Sequence, residues 1–287
     1  MKAPRFAYAR PASVAEALAL LDKHRDDARV LAGGQSLVPM LNFRLASPKV
    51  LVDVNRIAAL AGIKVTKSHV RIGALTRHVD LERSADIAKH LPLVAAAMPH
   101  VAHPAIRNRG TFGGSCALGD PAAELPACAL ALGATFIVAG KKGERRIAAG
   151  DFFKGLYATA LKTAELLIAA EFPLPKPGYA SAFGELARRH GDYAMVGVAA
   201  HGSTKGGKFS DMRVAFFGVG DRPQLAAHFA RALEGEPATA KSVDAALAKL
   251  DADLAPRADL YSSTATKLHL AKVLAGRVLK RLEGVTA

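Results

Sequence analysis

Leu31-Ala-Gly-Gly-Gln-Ser-Leu37 is the stretch that decides how this chain folds, and Gly110-Thr-Phe-Gly-Gly-Ser115 answers it further along. Each is a glycine pair flanked by small or hydroxylated residues. Ala28 to Leu31 reads as a short buried strand that delivers the chain into Gly33-Gly34, and Pro39 to Leu45 reads as helix, so the first pair sits at a strand–helix junction. Glycine lets backbone N–H groups approach a ligand closely, and a neighbouring hydroxyl adds a further donor. Successive free N–H groups in a turn make an anion-binding concavity, which a following helix N-terminus strengthens. Two such loops point to a ligand with a large anionic centre, such as the pyrophosphate of a dinucleotide.

Outward from the first loop, Ser13-Val-Ala-Glu16 forms a capping box, and Ala17, Leu18, Leu20 and Leu21 continue a helix to about His24. Lys49-Val-Leu-Val-Asp-Val54 is a β-rich run. This first unit is α/β, with its glycine loop where open sheets place ligands. A second unit begins near Ile63. It offers a strand at His69–Ile72, helical stretches at Val79–Lys89 and Leu91–His100, a break at His103-Pro104, the second glycine loop, and a helix from Ala122 to Leu132. Thr135–Ala139 and Arg145–Ile147 flank a hairpin turn at Gly140-Lys-Lys-Gly143, and Leu166–Phe172 is a further strand. The cluster Pro173-Leu-Pro175-Lys-Pro177 is the clearest boundary in the chain. The third unit opens with strands at Ala180–Arg189, Ala194–Ser203 and Met212–Val219, which glycine-bearing turns join into an antiparallel sheet. Helices follow at Gln224–Leu233, Ser242–Leu250 and about Ser263–Leu282. The apolar stripe of the last helix, Leu268 to Leu279, reads as core packing.

Composition narrows the function. Apolar residues make up 51% of 287, which excludes a disordered chain. No apolar run reaches the ~18–20 residues of a membrane span, and the first residues lack a secretory h-region, so a cytoplasmic protein is expected. Two cysteines, Cys116 and Cys128, cannot supply the four ligands of an iron–sulfur cluster or an all-thiolate zinc site. The ten histidines are scattered, and no H-E-x-x-H occurs. His100 and His103 have no carboxylate or thiol nearby in sequence to complete a metal set, so no metal residues are assigned. Neither G-x-G-x-x-G after a strand nor a P-loop is present. Ser36 and Ser115 do not lie in a nucleophile elbow, so no catalytic residue is assigned. The formal charge of +14 is carried by dispersed residues. Its densest groups, Lys141-Lys142 with Arg145-Arg146 and Arg188-Arg189, lack interleaved aromatics, which argues against nucleic acid and for a solvated surface or an acidic partner.

In Ser115-Cys-Ala-Leu-Gly-Asp-Pro-Ala-Ala-Glu-Leu-Pro126, Asp120 either caps the helix carrying Glu124, with Pro121 at its first position, or joins Glu124 in facing the hydroxyls of a polyol. Glu124 suits the second role because capping does not need it.

With these residues in place, the chain resembles the FAD-binding medium subunit of the molybdenum hydroxylases. That group holds aerobic carbon monoxide dehydrogenase and is related to the flavin domain of xanthine dehydrogenase. The resemblance rests on Ala32-Gly-Gly-Gln-Ser36, Thr111-Phe-Gly-Gly-Ser115, Asp120-Pro-Ala-Ala-Glu-Leu-Pro126 and Gly191-Asp-Tyr-Ala-Met-Val-Gly197, and it covers essentially the whole chain. It implies an α+β protein of three domains. Two would form an FAD-binding fold of the vanillyl-alcohol oxidase (PCMH) type, over 1–60 and 61–176, and 177–287 would be an antiparallel sheet with helices. By the same resemblance Ala32, Gly33, Gly34, Gln35 and Ser36, with Thr111, Phe112, Gly113, Gly114 and Ser115, hold the FAD pyrophosphate and adjoining ribityl. Glu124 and Asp120 lie at the ribityl or ribose, and Tyr193 falls over the isoalloxazine ring. Gln35 departs from the histidine often found in the carbon monoxide enzymes, which bears on substrate and not on FAD. The implied assembly is a dimer of heterotrimers, with a large subunit carrying molybdopterin cytosine dinucleotide and a small one carrying two [2Fe-2S] clusters. The implied substrate is CO, an N-heterocycle or an aldehyde. The alternative is a self-sufficient flavin oxidoreductase on the same fold.

Overall fold

The computed structural model describes residues 2–286. It contains three main sheets, and their order along the chain follows the three runs of sequence above. The first is parallel: β1 (Ala7–Ala9) and β2 (Ala28–Leu31) flank β3 (Val50–Asp53), in the order β1-β3-β2. All four residues of β3 are buried, as a two-sided central strand requires. The helix Val14–His24 covers one face. Its N-cap Ser13 accepts a hydrogen bond from the Glu16 N–H at 3.2 Å, while the Glu16 carboxylate accepts from Ala12 N–H at 2.9 Å, one residue earlier than an ideal capping box. The expected helix over Pro39–Leu45 lies at Leu37–Asn42, because Arg44 turns left-handed with φ 56°. β1 escapes a sequence reading: it is three residues long and largely exposed.

The second sheet is antiparallel. It comprises β4 (Ile63–Val65), β5 (His69–Gly73), β6 (Thr135–Gly140) and β7 (Gly143–Ala148), with a small hairpin of β8 (Phe153–Gly155) and β9 (Ala158–Thr159) before β10 (Leu166–Pro173). Its order is β4-β5-β10-β6-β7. Gly140 pairs with Gly143 across the two-residue Lys141-Lys142 turn. The single helix expected over Val79–Lys89 is split into His78–Arg83 and Ala85–His90. Ser84 takes an extended conformation and its hydroxyl caps the second piece at Ile87 N–H. The preceding helical run stops at His100, after which Ala102 turns left-handed with φ 46°, and Pro104 opens a short helix, Pro104–Arg107, as its fixed φ allows.

The third sheet runs β11 (Tyr179–Ala187), β12 (Ala194–Ser203), β13 (Ser210–Phe217) and β14 (Gln224–Leu225), all antiparallel. Gln224 and Leu225, expected in a helix, instead pair with Phe216 and Ala215, and the helix begins at Ala227. Period-two alternation divides the strands. Val196, Val198, Ala200, Val214 and Phe216 face the helices Ala227–Leu233, Ala240–Ala246 and Thr264–Leu279. Ala199, Ala215 and Phe217 face the other way, into the cluster built by Phe112, Cys128, Phe136 and Leu167. The helix Glu124–Ala131, buried along its whole length, is packed in that shared core. No helix among the described residues is long and apolar enough to cross a membrane.

Candidate functional site

The chain leaves β2 at Leu31 and enters the helix at Leu37, so Ala32 to Ser36 bridge a strand end and a helix start. Among the described residues none accepts a hydrogen bond from the backbone N–H of Gly33, Gly34, Gln35 or Ser36, and the Ser36 hydroxyl makes no cap bond. Gly34 has φ +73°, a conformation that a side chain strains. At Gly33 an added Cβ would overlap the Arg109 carbonyl oxygen and come within 2.9 Å of Gly110 Cα. The two glycine motifs therefore meet backbone to backbone. Side chains lock this contact: Asn55 Nδ2 donates to the Ala32 carbonyl at 2.8 Å, Arg77 donates to Asn55 Oδ1 at 2.7 Å, and Arg77 also donates to the Arg109 carbonyl. Gln35 Nε2 turns back to donate to the Gly33 carbonyl at 3.0 Å.

The second motif is not a loop. Thr111 caps the helix Phe112–Leu118, accepting from Gly114 N–H at 3.1 Å. The N–H of Phe112 donates to the Thr76 carbonyl at 2.9 Å and that of Gly113 to Ala74 at 2.8 Å. Every leading amide is thus already spent, and what this motif offers a ligand is the Thr111 and Ser115 hydroxyls and close approach over Gly113 and Gly114. Phe112 offers neither group. Its ring is 0% exposed, against Phe172 at 5.8 Å between centroids, because the helix repeat turns it into the core.

Between the motifs lies a cavity of about 640 Å³, within the ~300–1,000 Å³ of small-molecule sites. Ala32 to Ser36, Thr111, Gly113, Gly114, Ser115, Asp120, Glu124 and Tyr193 all line it, and Phe112 does not. A smaller hollow of about 370 Å³ opens on the other side of the first loop, against Asp53, Asn55 and Arg109.

Asp120 does not cap the following helix. Its Oδ1 accepts from Ala122 N–H at 2.9 Å, a two-residue turn that leaves Ala123 at the cap position, so the helix starts at Glu124 and Pro121 lies outside it. Glu124 is 9% exposed and has no side-chain partner among the described residues. Burial, with the Asp120 carboxylate adding to it, pushes its carboxyl up to about 7, and burial raises Asp120 as well. Two poorly solvated carboxyl groups without cations thus close one end of the cavity. Tyr193 stands at the rim, 74% exposed, following a tight turn at Gly191 that backs onto the Ala102 carbonyl.

The cavity also draws on residues that sequence reading passes over, above all His78 and the segment Leu161-Lys-Thr163. No motif marks them: they reach the wall because β5 and β10 are neighbours in the second sheet and place their flanking loops together. Cys116 and Cys128 are fully buried and burial raises both thiols, which leaves them as packing groups.

Known proteins place this geometry. Residues 4–175 match the model of the FAD binding domain in molybdopterin dehydrogenase, and residues 181–282 that of the carbon monoxide dehydrogenase flavoprotein C-terminal domain. The chain is 37% identical over 276 residues to the carbon monoxide dehydrogenase medium chain of Afipia carboxidovorans, covering 96% of each. It is 37% identical over 279 residues to the nicotine 6-hydroxylase medium subunit of Paenarthrobacter nicotinovorans, covering 97% of this chain and 98% of that one. Its fold superposes on carbon monoxide dehydrogenase from Hydrogenophaga pseudoflava with a TM-score of 0.95 at 39% identity, over 98% of both chains. With quinoline 2-oxidoreductase from Pseudomonas putida 86 the score is 0.91, also at 39% identity, over 97% of both. The chain belongs to the FAD-binding family of the molybdopterin dehydrogenases, and it is an oxidoreductase subunit of that family.

Proposed function

We propose that this chain is the FAD-carrying electron-transfer subunit of a molybdenum hydroxylase. It takes electrons from [2Fe-2S] clusters on a small partner and passes them to an external acceptor. A large partner carrying molybdopterin cytosine dinucleotide oxidises the substrate, which is CO, an N-heterocycle or an aldehyde. The complex is a dimer of heterotrimers working in the cytoplasm. The observation that carries this reading is the row of four unspent backbone N–H groups at Gly33 to Ser36, lining a cavity together with two carboxyl groups that burial shifts upward.

Those features fit a dinucleotide. Backbone donors at a strand–helix junction accept a pyrophosphate without asking for a cation. A carboxyl group poised near neutrality pairs with sugar or ribityl hydroxyls as either donor or acceptor. When bound, FAD supplies the redox chemistry, and the chain supplies position and electrostatics. Ala32 to Ser36 hold the pyrophosphate, and Thr111 and Ser115 hydroxyls with the open faces of Gly113 and Gly114 take the adjoining ribityl. Asp120 and Glu124 orient hydroxyls, and Tyr193 covers the ring and excludes water. Phe112 acts from the core, holding the glycine-bearing helix against β5. We read the chain as domains 1–60, 61–176 and 177–287, the first two forming a PCMH-type pair.

Native purification tests the assembly. The reading expects a yellow protein that brings down a large and a small partner, with molybdenum and iron in the eluate. A yellow protein that stays monomeric and turns over a substrate unaided would overturn it in favour of a self-sufficient flavoenzyme.

A further inference from the structure

Glu185 lies on β11 two residues beyond Phe183, so period-two alternation turns both side chains to the face that shares a core with the helix Glu124–Ala131 and residues 92–100. Its side chain is 2% exposed, and Oε2 has no hydrogen-bond partner among the described residues. A buried polar group left unpaired costs about 1–3 kcal/mol, and packing in an apolar core does not call for a carboxyl group. The position therefore needs a chemical reason. Glu185 does not line the 640 Å³ cavity, whereas Glu124, whose carboxylate acts on it, does.

The titratable groups around it form a row. On one side Glu124, next to Asp120, stands on the cavity wall. On the other, His100 Nδ1 lies 4.0 Å from Glu185 Oε2, a gap that rotation of either side chain closes. The partly exposed His100 ring is 5.9 Å from that of the exposed His190. The guanidinium groups nearby are engaged elsewhere: Arg188 lies over the Tyr261 ring, Arg189 pairs with Asp192, and Arg281 donates to the Phe183 carbonyl. Burial, with Glu124 adding to it, pushes Glu185 up to about 8, and Glu124 itself stands at about 7. Near neutrality Glu185 thus keeps its proton, and Glu124 is poised to give one up and take one back. Burial and His190 lower His100, which leaves a neutral ring that passes on any proton it accepts.

We infer that Glu185 is a proton-transfer residue, which passes protons from His100 at the surface to Glu124 at the cavity wall. The inference rests on the FAD reading above. Iron–sulfur clusters hand over electrons without protons, whereas two electrons convert FAD to its anionic reduced form only with the uptake of a proton. Glu124 gives its carboxyl proton to the cavity, Glu185 replaces it, His100 reprotonates Glu185, and solvent reprotonates His100 directly or through His190. Each proton delivered is matched by one taken from solvent, and every group ends as it began.

Mixing the purified complex with reduced methyl viologen, a donor of electrons without protons, tests it, with a pH-indicator dye recording proton uptake beside the flavin absorption. In the unmutated complex, uptake should keep pace with bleaching of the flavin. Glu185→Gln should slow uptake about a hundredfold, the lower end of what a positioned proton-transfer group contributes, with FAD content and melting temperature kept. Glu185→Asp, which retains the carboxyl group, should recover most of the rate. His100→Ala should be slowed likewise and regain its rate when imidazole is added. Glu185→Gln that takes up protons as the unmutated complex does, or that loses FAD instead, would overturn the inference and leave the FAD reading standing. An unmutated complex that carries no flavin and takes none up would overturn both.

Discussion

Glu124 shows how a single residue ties stability to the site. Its carboxyl is held at about 7 by burial and by Asp120, whereas an unfolded chain ionises it near its ordinary 4.5. Between those values the native state keeps a proton that the unfolded state has released. Stability of the FAD-free chain must therefore fall as pH rises through that window. Glu185, 2% exposed at its side chain and raised to about 8 by burial and by Glu124, extends the fall upward. Glu124→Gln removes one contributor and should make the FAD-free protein more stable at pH 8, by about 1–3 kcal/mol, with a flatter profile between pH 5 and 7. Superimposable urea-denaturation profiles of mutant and parent at pH 5, 7 and 8 would sink this account. Gly33 is bound to the site by shape. With a methyl group pressed onto the Arg109 carbonyl, Gly33→Ala should cost about 1–3 kcal/mol and weaken FAD binding together. Calorimetric melting beside FAD titration reads both, and a variant that melts and binds like the parent would refute the close contact.

At the scale of elements, the two glycine motifs divide their tasks in a way their similar letters conceal. Gly33-Gly34 lies between a strand and a helix, a context that β2 and the capped helix Val14–His24 announce in the sequence, and its amides are left for a ligand. Gly113-Gly114 looks like a loop because each glycine lowers helix propensity by about 1 kcal/mol, yet it forms the first turn of a helix. The Thr111 cap and the Phe112 anchor outweigh that cost, and both are tertiary facts that local propensity does not contain. Thr111→Val should lower stability by about 1 kcal/mol and hasten hydrogen exchange at the Gly114 amide. Unchanged exchange there would mean that the cap is not what holds the turn. The strands β10, β12 and β13 were readable because long apolar or alternating runs sit between turn residues. β1 was hidden by being short and exposed and β14 by a helical-looking sequence, while the cap expected of Asp120 gives way to a turn that uses the same carboxylate two residues on. Of the cavity wall, the glycine motifs, Asp120, Glu124 and Tyr193 could be found by their residue types, but His78 and Leu161 to Thr163 arrive only through the pairing of distant strands.

Over the whole molecule, the proline cluster separates β10 from β11 without separating their cores. Phe183, Ala199 and Phe217 of the third sheet belong to the same buried cluster as Phe112, Phe136 and Leu167, and Arg213 donates to the Leu130 and Ala131 carbonyls at 2.7 and 3.0 Å. A fragment ending at residue 177 should therefore expose apolar surface, bind a hydrophobic dye and unfold without a cooperative transition. A fragment that melts sharply with native near-ultraviolet dichroism would contradict this shared core. The basic surface is likewise less bare than its sequence: Lys141, Arg145 and Arg146 pair with Asp22, Glu165 and Glu171. Such pairs disperse the charge of +14 instead of gathering it for a polyanion.

All of these features converge on the cavity between the glycine motifs, and its occupant is the point most worth measuring. FAD titrated into the full, flavin-free chain should bind at one equivalent, with flavin absorption bands that remain after gel filtration. Protein that stays colourless after saturation with FAD and gel filtration would contradict the account at its centre.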